Sequence, residues 1–447
     1  MITHSLLTLF NLDALALMII ALVGFIGITV AVFARKYLEG DTRYTRFFCL
    51  LSLLITSLTI MAAADHLLLF LLAWGISNFT LVQLMIHKPQ WAAAAHSGKL
   101  AAKTFLFGYL CLAIAFFTLY LATGQTSIHS ILTNSKITHL VALFSGLLIF
   151  LTAMTQSAIW PFHRWLMSSL NAPTPVSAIM HAGLVNGGGV LLARFAPLYF
   201  SQPPMLTLLF VMGISTAILA SIWKLMQCDI KRMLAASTMA QMGFMIAQCG
   251  LGLFAAAIAH LCWHGLFKAN LFLHAYGTKS QKNLTVTNQV TGRQFMLSLI
   301  IGVFGSYIFA KTSQQPWLTN NTSTFLMLMV TLFSTQFNLS ILEHVKLKTI
   351  FTGLTMTAIF CAAYGYNVFI IDTALKSLHL IQPQPLNLIH ITAMIALTST
   401  WVITTFNNQP KLSALFSKTR SRLYVKALNA SQPHPKTITT HRHNYQY

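Results

Sequence analysis

Between His260 and His274 the chain reads HLCWHGLFKANLFLH, with ionisable side chains four residues apart at His260, His264 and Lys268. Successive i, i+4 positions on an α-helix drift by only about 40°, so the three form one stripe about 12 Å long. Their neighbours are apolar enough to lie in a membrane. A lysine at mid-bilayer costs on the order of 2.5–3.5 kcal/mol on insertion scales. Apolar packing does not offset that cost, so the stripe is expected to face a hydrated interior. Imidazole, with an unperturbed pKa of about 6.5, gives and takes protons at cellular pH. An amine taken out of bulk water exchanges them as well. The stripe therefore has the chemistry of a proton path, and His181, also inside an apolar segment, is a further candidate. A single such histidine is more often an interhelical hydrogen bonder, but three polar groups in register weigh against that. Zinc held by His260 and His264 at i, i+4 is geometrically open. No glutamate stands between them, and Lys268 repels a cation, so neither a metal site nor a cofactor is expected.

The elements carrying these residues follow from composition. Of 447 residues, 56% are hydrophobic and only 8% charged, against about 25% charged in soluble domains. Mean hydropathy is +0.68. Apolar runs of about 20 residues span a bilayer as helices, whereas barrels show short alternating segments. The fold class is an all-α integral membrane protein with about thirteen spans. These lie near 12–34, 46–63, 66–86, 104–123, 138–155, 174–194, 205–223, 232–250, 251–276, 294–310, 323–342, 349–371 and 387–406. Residues 1–406 form the polytopic membrane domain and 407–447 a basic tail. The first residues have no basic start and no small-residue cleavage site, so no cleavable signal is expected. The six cysteines show no paired spacing and read as buried small hydrophobes.

The net charge of +21 would suggest nucleic acid in a soluble protein. Here the cations mark topology. Lys136, Arg194, Lys311 and Lys376 fall in one set of loops, while sixteen others fall in the opposite set. That bias predicts an outside N-terminus and a cytoplasmic tail, and a cell inner membrane is the expected location.

Two stretches break the helical pattern. In TQSAIWPFHRWLMSSLNAPTPVSAIMHAG, Pro161 should interrupt a helix, and Asn171 resembles an N-cap ahead of Pro173 and Pro175. Broken helices at membrane depth line polar cavities or are buried in protein. His163, within this break, is a polar-path or structural residue. The second stretch, Asn186-Gly187-Gly188-Gly189, permits close helix contact, with Asn186 offering a polar group. All seven carboxylates fall at or outside the span ends. Asp65 reads as an anion at a helix N-terminus, with a relay role as its alternative.

Together, SAIWPFHRWLMSSLNAPTPVSAIMHAG, CDIKRMLAASTMAQMGFM and HLCWHGLFKANLFL resemble the antiporter-like membrane subunits of respiratory complex I and Mrp-type cation antiporters. The resemblance runs from about residue 12 to 280. It implies inverted helix repeats, each with a broken helix, and a polar axis crossing the membrane. It places His260, His264 and Lys268 at central relay positions and His181 on the same axis. The chain also departs from the pattern. Gly75 follows Trp74 where the family has a glutamate, and Gln156 stands where its broken helix has a lysine. FMLSLIIGVFGSYIFA has no counterpart of the later charged broken helix. A complete complex I pump is expected to keep the glutamate–lysine pair.

AQMGFMIAQCGLG and the tail LYVKALNASQPHPKTITTHRHNYQY resemble the DabB-type membrane subunits of inorganic-carbon accumulation systems. That resemblance implies a large DabA-like zinc partner, similar to a carbonic anhydrase, which cation flow drives to hydrate carbon dioxide. The chain itself is then a transport subunit without a catalytic site. Tail residues 407–447 have too few apolar groups for a core, so they either stay disordered or order on a partner. Tyr424, His434 and His441 are docking candidates there, and attraction to anionic membrane lipid is the alternative. The rival functions are a pumping subunit of a quinone oxidoreductase and an Mrp-type cation/proton antiporter. The residues leave H⁺ and Na⁺ both open as the coupling ion.

Overall fold

Apolar segments in lipid must satisfy their backbone groups internally, and helices do so within one segment. The computed structural model describes residues 9–274, 290–343, 345–406 and 417–438, and among them it contains helices, turns and isolated β-bridges, with no strand. The helices are α1 (Ala14–Tyr37), α2 (Tyr44–Ala63), α3 (Leu67–Met85), α4 (Ala92–Thr123), α5 (Ile128–Leu132), α6 (His139–Gln156), α7 (Arg164–Met167), α8 (Thr174–Ala182) and α9 (Gly187–Arg194). They continue with α10 (Ala196–Phe200), α11 (Pro203–Leu225), α12 (Ile230–Gly250), α13 (Phe254–His274), α14 (Gly292–Thr312), α15 (Ser323–Ile341), α16 (Leu347–Ala374), α17 (Leu388–Phe406) and α18 (Ser417–Ser431).

Among the described residues, ten helical segments are long and apolar enough to cross a membrane. α12, α13 and α17 add helices where the sequence pattern places its remaining spans. Three local readings change. The fourth span starts twelve residues early, as the 32-residue α4, because the apolar face continues through Ala93, Ala94, Ser97 and Ala101. The sixth span is α8 and α9 with a kink at Gly183 and a 3₁₀ turn at Leu184–Asn186. Asp372 lies in the last turn of α16.

The break before α8 is longer than one proline requires. α6 ends at Gln156, Ala158 takes a left-handed φ of +52°, and the Trp160–Pro161 bond is cis. Asn171 does not cap α8, since Pro173 holds that position. Its amide instead donates to Ser97 Oγ at 3.1 Å and to the Thr437 carbonyl at 3.0 Å.

The chain divides into two units. The first comprises Met1–Gly250, His260–Ser280 and Ala427–Tyr447, and the second Leu251–Ala259 and Gln281–Lys426. The second unit is built on α14, α15, α16 and α17. There Gln294 donates to the Leu339 carbonyl at 2.9 Å, and Asn338 donates to Thr357 Oγ1 at 2.7 Å and to the Ser334 carbonyl at 2.8 Å.

Candidate functional site: a buried polar path in the first unit

One face of α13 buries His264 (5% exposed) and Lys268 (1%), with His260 half-buried a turn earlier. The opposite face exposes Trp263, Phe267 and His274, and His274 bonds back to its own helix at Asn270. The stripe therefore ends at Lys268. The His260 and His264 rings are nearly parallel, with centroids 6.2 Å apart, and Phe244 sits edge-on to His260. Gly265 is required here: a Cβ would lie 2.7 Å from the Ala182 carbonyl and 3.3 Å from Asn186 Nδ2. The missing side chain lets α13 press against the kink of the broken helix and brings Asn186 next to the histidine stripe.

Lys268 Nζ donates to the Leu234 carbonyl of α12 at 3.2 Å, and Thr238 Oγ1 donates to the same carbonyl at 3.0 Å. With its proton so used, Thr238 Oγ1 accepts from His181 Nδ1 at 3.1 Å. The network thereby assigns the Nδ1–H tautomer to neutral His181. His181, 1% exposed, also stacks on Phe272 at 4.4 Å. Lys268 and His181 thus meet through Thr238 and a backbone oxygen, neither of which the sequence pattern singles out. Threonine is common in membrane helices, so only the fold reveals its role.

Further along, Gln156 Nε2 donates to Asn78 Oδ1 at 3.0 Å and to the Leu184 carbonyl at 3.4 Å. This neutral amide pair occupies the α3–α6 contact. Asn78, one turn beyond Gly75, is a second residue that sequence reading misses. Asn186 donates to the Ala182 carbonyl at 2.6 Å, and its Oδ1 has no protein partner. The same is true of Asn78 Nδ2, both side-chain atoms of Gln248, His260 Nε2 and both ring nitrogens of His264. Buried polar atoms of this kind are ordinarily satisfied by ordered water. Among the described residues no cluster of three metal-ligating side chains forms.

The remaining candidates lie elsewhere. Asp65 accepts from Ser127 Oγ and, at 2.9 Å, from His129 N, so it anchors the start of α5 across a loop. It thus stands at the N-terminus of a helix distant in sequence from its own. His163 is buried against Trp223 with ring centroids 4.8 Å apart, in the turn before α7.

Part of the tail folds onto its own chain. Ala427 packs on a cluster including Met167, Trp223 and Met239. Gln227 donates to the buried Ser431 Oγ at 3.0 Å, and His434 N donates to Ser168 Oγ at 3.0 Å. The expectation of a tail ordered only by a partner therefore does not hold for residues 427–438. Most of these contacts are polar bonds to the broken helix and to the loop before α12, which a search for apolar content overlooks. Tyr424 is exposed, and His441 lies outside the described residues.

The profile described as "NADH:quinone oxidoreductase/Mrp antiporter, TM" matches residues 64–352, and that of the complex I chain 5 N-terminus matches residues 3–48. The chain is 39% identical over 302 residues to the "Probable inorganic carbon transporter subunit DabB" of Bacillus anthracis, covering 67% of this chain and 59% of that protein. It is 34% identical over 271 residues to NADH-quinone oxidoreductase subunit L of Escherichia coli (strain K12), covering 59% and 44%. The chain thus spans less than two thirds of the length of these curated relatives. Its fold matches a chain of the Mrp complex from Dietzia sp. DQ12-45-1b with a TM-score of 0.64 at 23% identity, covering 94% of this chain and 52% of that one.

Proposed function

The chain belongs to the NADH:quinone oxidoreductase/Mrp antiporter transmembrane family, and on that premise we propose that it is a proton-conducting, non-catalytic subunit of an inorganic-carbon uptake complex. The observation that carries this reading is the single buried face of α13, joined to His181 through Thr238 and the Leu234 carbonyl. Lys268, His264 and His260 form the relay, and His181 is its branch. Orphaned ring nitrogens and amide atoms beside them call for water, and water links titratable groups that do not touch. The similarity to DabB-type subunits supports the inorganic-carbon assignment.

The loop-charge bias supports an outside N-terminus and a cytoplasmic tail, and in this reading protons flow inward across a cell inner membrane. The partner in this reading is the large DabA-like zinc subunit that the tail's resemblance implies. It docks on the face that residues 427–438 structure, and exposed Tyr424 is a separate docking candidate.

The test is co-purification followed by replacement of Lys268. Recovery with one large zinc protein is the expected result. A dehydrogenase module would instead indicate a quinone oxidoreductase, and several small hydrophobic subunits an antiporter. With both subunits present, Lys268→Ala should abolish rescue of bicarbonate-dependent growth, and wild-type rescue would sink the relay. Deleting residues 425–447 should abolish partner recovery.

A further inference from the structure

A different feature lies at the C-terminal end of α1. An open pocket of about 580 Å³ is lined by Val32, Arg35, Lys36, Glu39, Gly40 and Tyr44. Arg35 and Glu39 are four residues apart and Lys36 and Glu39 three, spacings at which opposite charges on a helix ordinarily meet. Here they do not. Among the described residues the ion pairs are His87–Asp41 and Arg194–Asp13, and none of the three pocket charges takes part in one. Two cations and one anion therefore ring a single cavity with their charges unspent on each other.

The cations alone have an ordinary explanation, because basic residues in a last turn complement the helix dipole. Glu39 does not. It sits just past the C-cap Leu38, where the dipole disfavours an anion. Gly40, at a φ of +81°, turns the chain there so that Asp41 N returns to the Leu38 carbonyl at 3.0 Å. Only a residue without a Cβ takes that conformation readily, so the turn that carries Glu39 is built into the backbone. Leading to the pocket, Phe25, Ile28 and Val32 expose an apolar stripe along α1 at helical spacing.

We propose that this pocket holds the headgroup of a zwitterionic amino-phospholipid of the phosphatidylethanolamine class. Its phosphate sits on Arg35 and Lys36, its ammonium on Glu39, and an acyl chain lies along Phe25, Ile28 and Val32. Charge complementarity selects the class. An anionic headgroup leaves Glu39 repelled or unused, and a choline headgroup offers Glu39 no hydrogen-bond donor. Tyr44 adds an amphipathic ring of the kind favoured at the membrane boundary.

Native mass spectrometry of the full chain, offered equimolar phosphatidylethanolamine, phosphatidylglycerol and phosphatidylcholine, tests this. Phosphatidylethanolamine should dominate the retained lipid. The double substitution Arg35→Ala with Lys36→Ala should reduce its retention at least tenfold. Glu39→Gln should shift retention toward phosphatidylglycerol. Equal retention of the three lipids by the unsubstituted chain overturns the proposal. So does unchanged retention in the double variant, or an unchanged lipid ratio in Glu39→Gln. Displacement of the lipid by millimolar inorganic phosphate or glycerophosphoethanolamine overturns the lipid as the source of the headgroup. If the double variant is not recovered folded, the competition on the unsubstituted chain decides alone.

Discussion

The two units of this chain bury polar groups in contrasting ways. In the first, the helix after α6 is broken and then kinked at Gly183, and the groups around it include His181, His264 and Lys268, which change charge. In the second, α14 runs unbroken from Gly292 to Thr312, and the buried network of Gln294, Asn338, Thr357 and Ser334 is neutral at every pH a cell meets. Gly353 lets α16 approach so closely that a Cβ there would lie 2.4 Å from Asn338 Oδ1. Buried polarity alone therefore does not mark a path. The amides and hydroxyls around Asn338 hold helices together, whereas the imidazole and amine groups on the buried face of α13 can carry net charge.

Paired substitutions break or sharpen that contrast, and they carry the largest expected effect. Lys268→Met keeps the length of the side chain and removes the ionisable group of the proposed relay, so flux per folded molecule should fall about 100-fold or more, the scale of a lost proton-transfer group. Asn338→Leu in the second unit should leave flux per folded molecule unchanged. It should destabilise the fold by about 1–3 kcal/mol, because Thr357 loses its donor partner in a buried site. Proton uptake into vesicles, normalised to folded protein, measures the first quantity, and thermal unfolding in detergent measures the second. A flux loss in Asn338→Leu matching that in Lys268→Met would abolish the distinction between the units.

A smaller effect is expected from Thr238→Val, which preserves shape and removes the hydroxyl joining His181 to the Leu234 carbonyl. His181 Nδ1 then loses its partner, at a cost of about 1–3 kcal/mol. Flux should fall by roughly threefold to tenfold, well short of the Lys268 loss, since His181 branches from the stripe. Thr238→Ser, which keeps the hydroxyl, should recover most of it. If serine and valine behave alike, packing rather than the hydrogen bond is the role of this position.

How much of this was legible in the sequence depends on the range of each interaction. The stripe at His260, His264 and Lys268 is local, and helical spacing alone put it on one face. Burial of His264 and Lys268 agrees with that spacing, while His274, six residues beyond Lys268, falls on the exposed side. Asn78 meets Gln156 across 78 residues, and nothing in an apolar helix signals such a pairing before the helices pack. Thr238 is hidden for a related reason, since its use depends on which carbonyl and which imidazole arrive beside it. The tail contacts at His434 and Thr437 are polar bonds to the broken helix, and that at Ser431 is a polar bond to the loop between α11 and α12. A reading based on apolar surface leaves such a segment without a reason to fold.

The contrast between charge-changing and neutral sites extends outside the membrane, at the loops joining α1 to α2 and α3 to α4, where the smallest effect is expected. His87 Nε2 and Asp41 Oδ2 are 3.2 Å apart. Burial works against the Asp41 carboxylate, but the Arg43 N–H, the bond to His87 and the nearby cations outweigh it and hold this carboxyl below its ordinary 3.8. Burial also lowers His87 below its ordinary 6.5, and the attraction of Asp41 only partly offsets that. Both shifts act in the same direction. A depressed histidine contributes stability that is present above 6.5 and lost as pH falls toward its folded value. A depressed carboxylate contributes stability that is lost only further into acid. Acidification from pH 7 to 5 should therefore loosen this loop pair first through His87. Amide hydrogen exchange at residues 39–44 and 86–91, corrected for intrinsic rates, should rise over that range while the core of α12 stays protected. His87→Phe removes the titrating group, retains a ring against Phe47, and should flatten the pH dependence. An unchanged slope in that variant would assign the acid response to groups other than this pair.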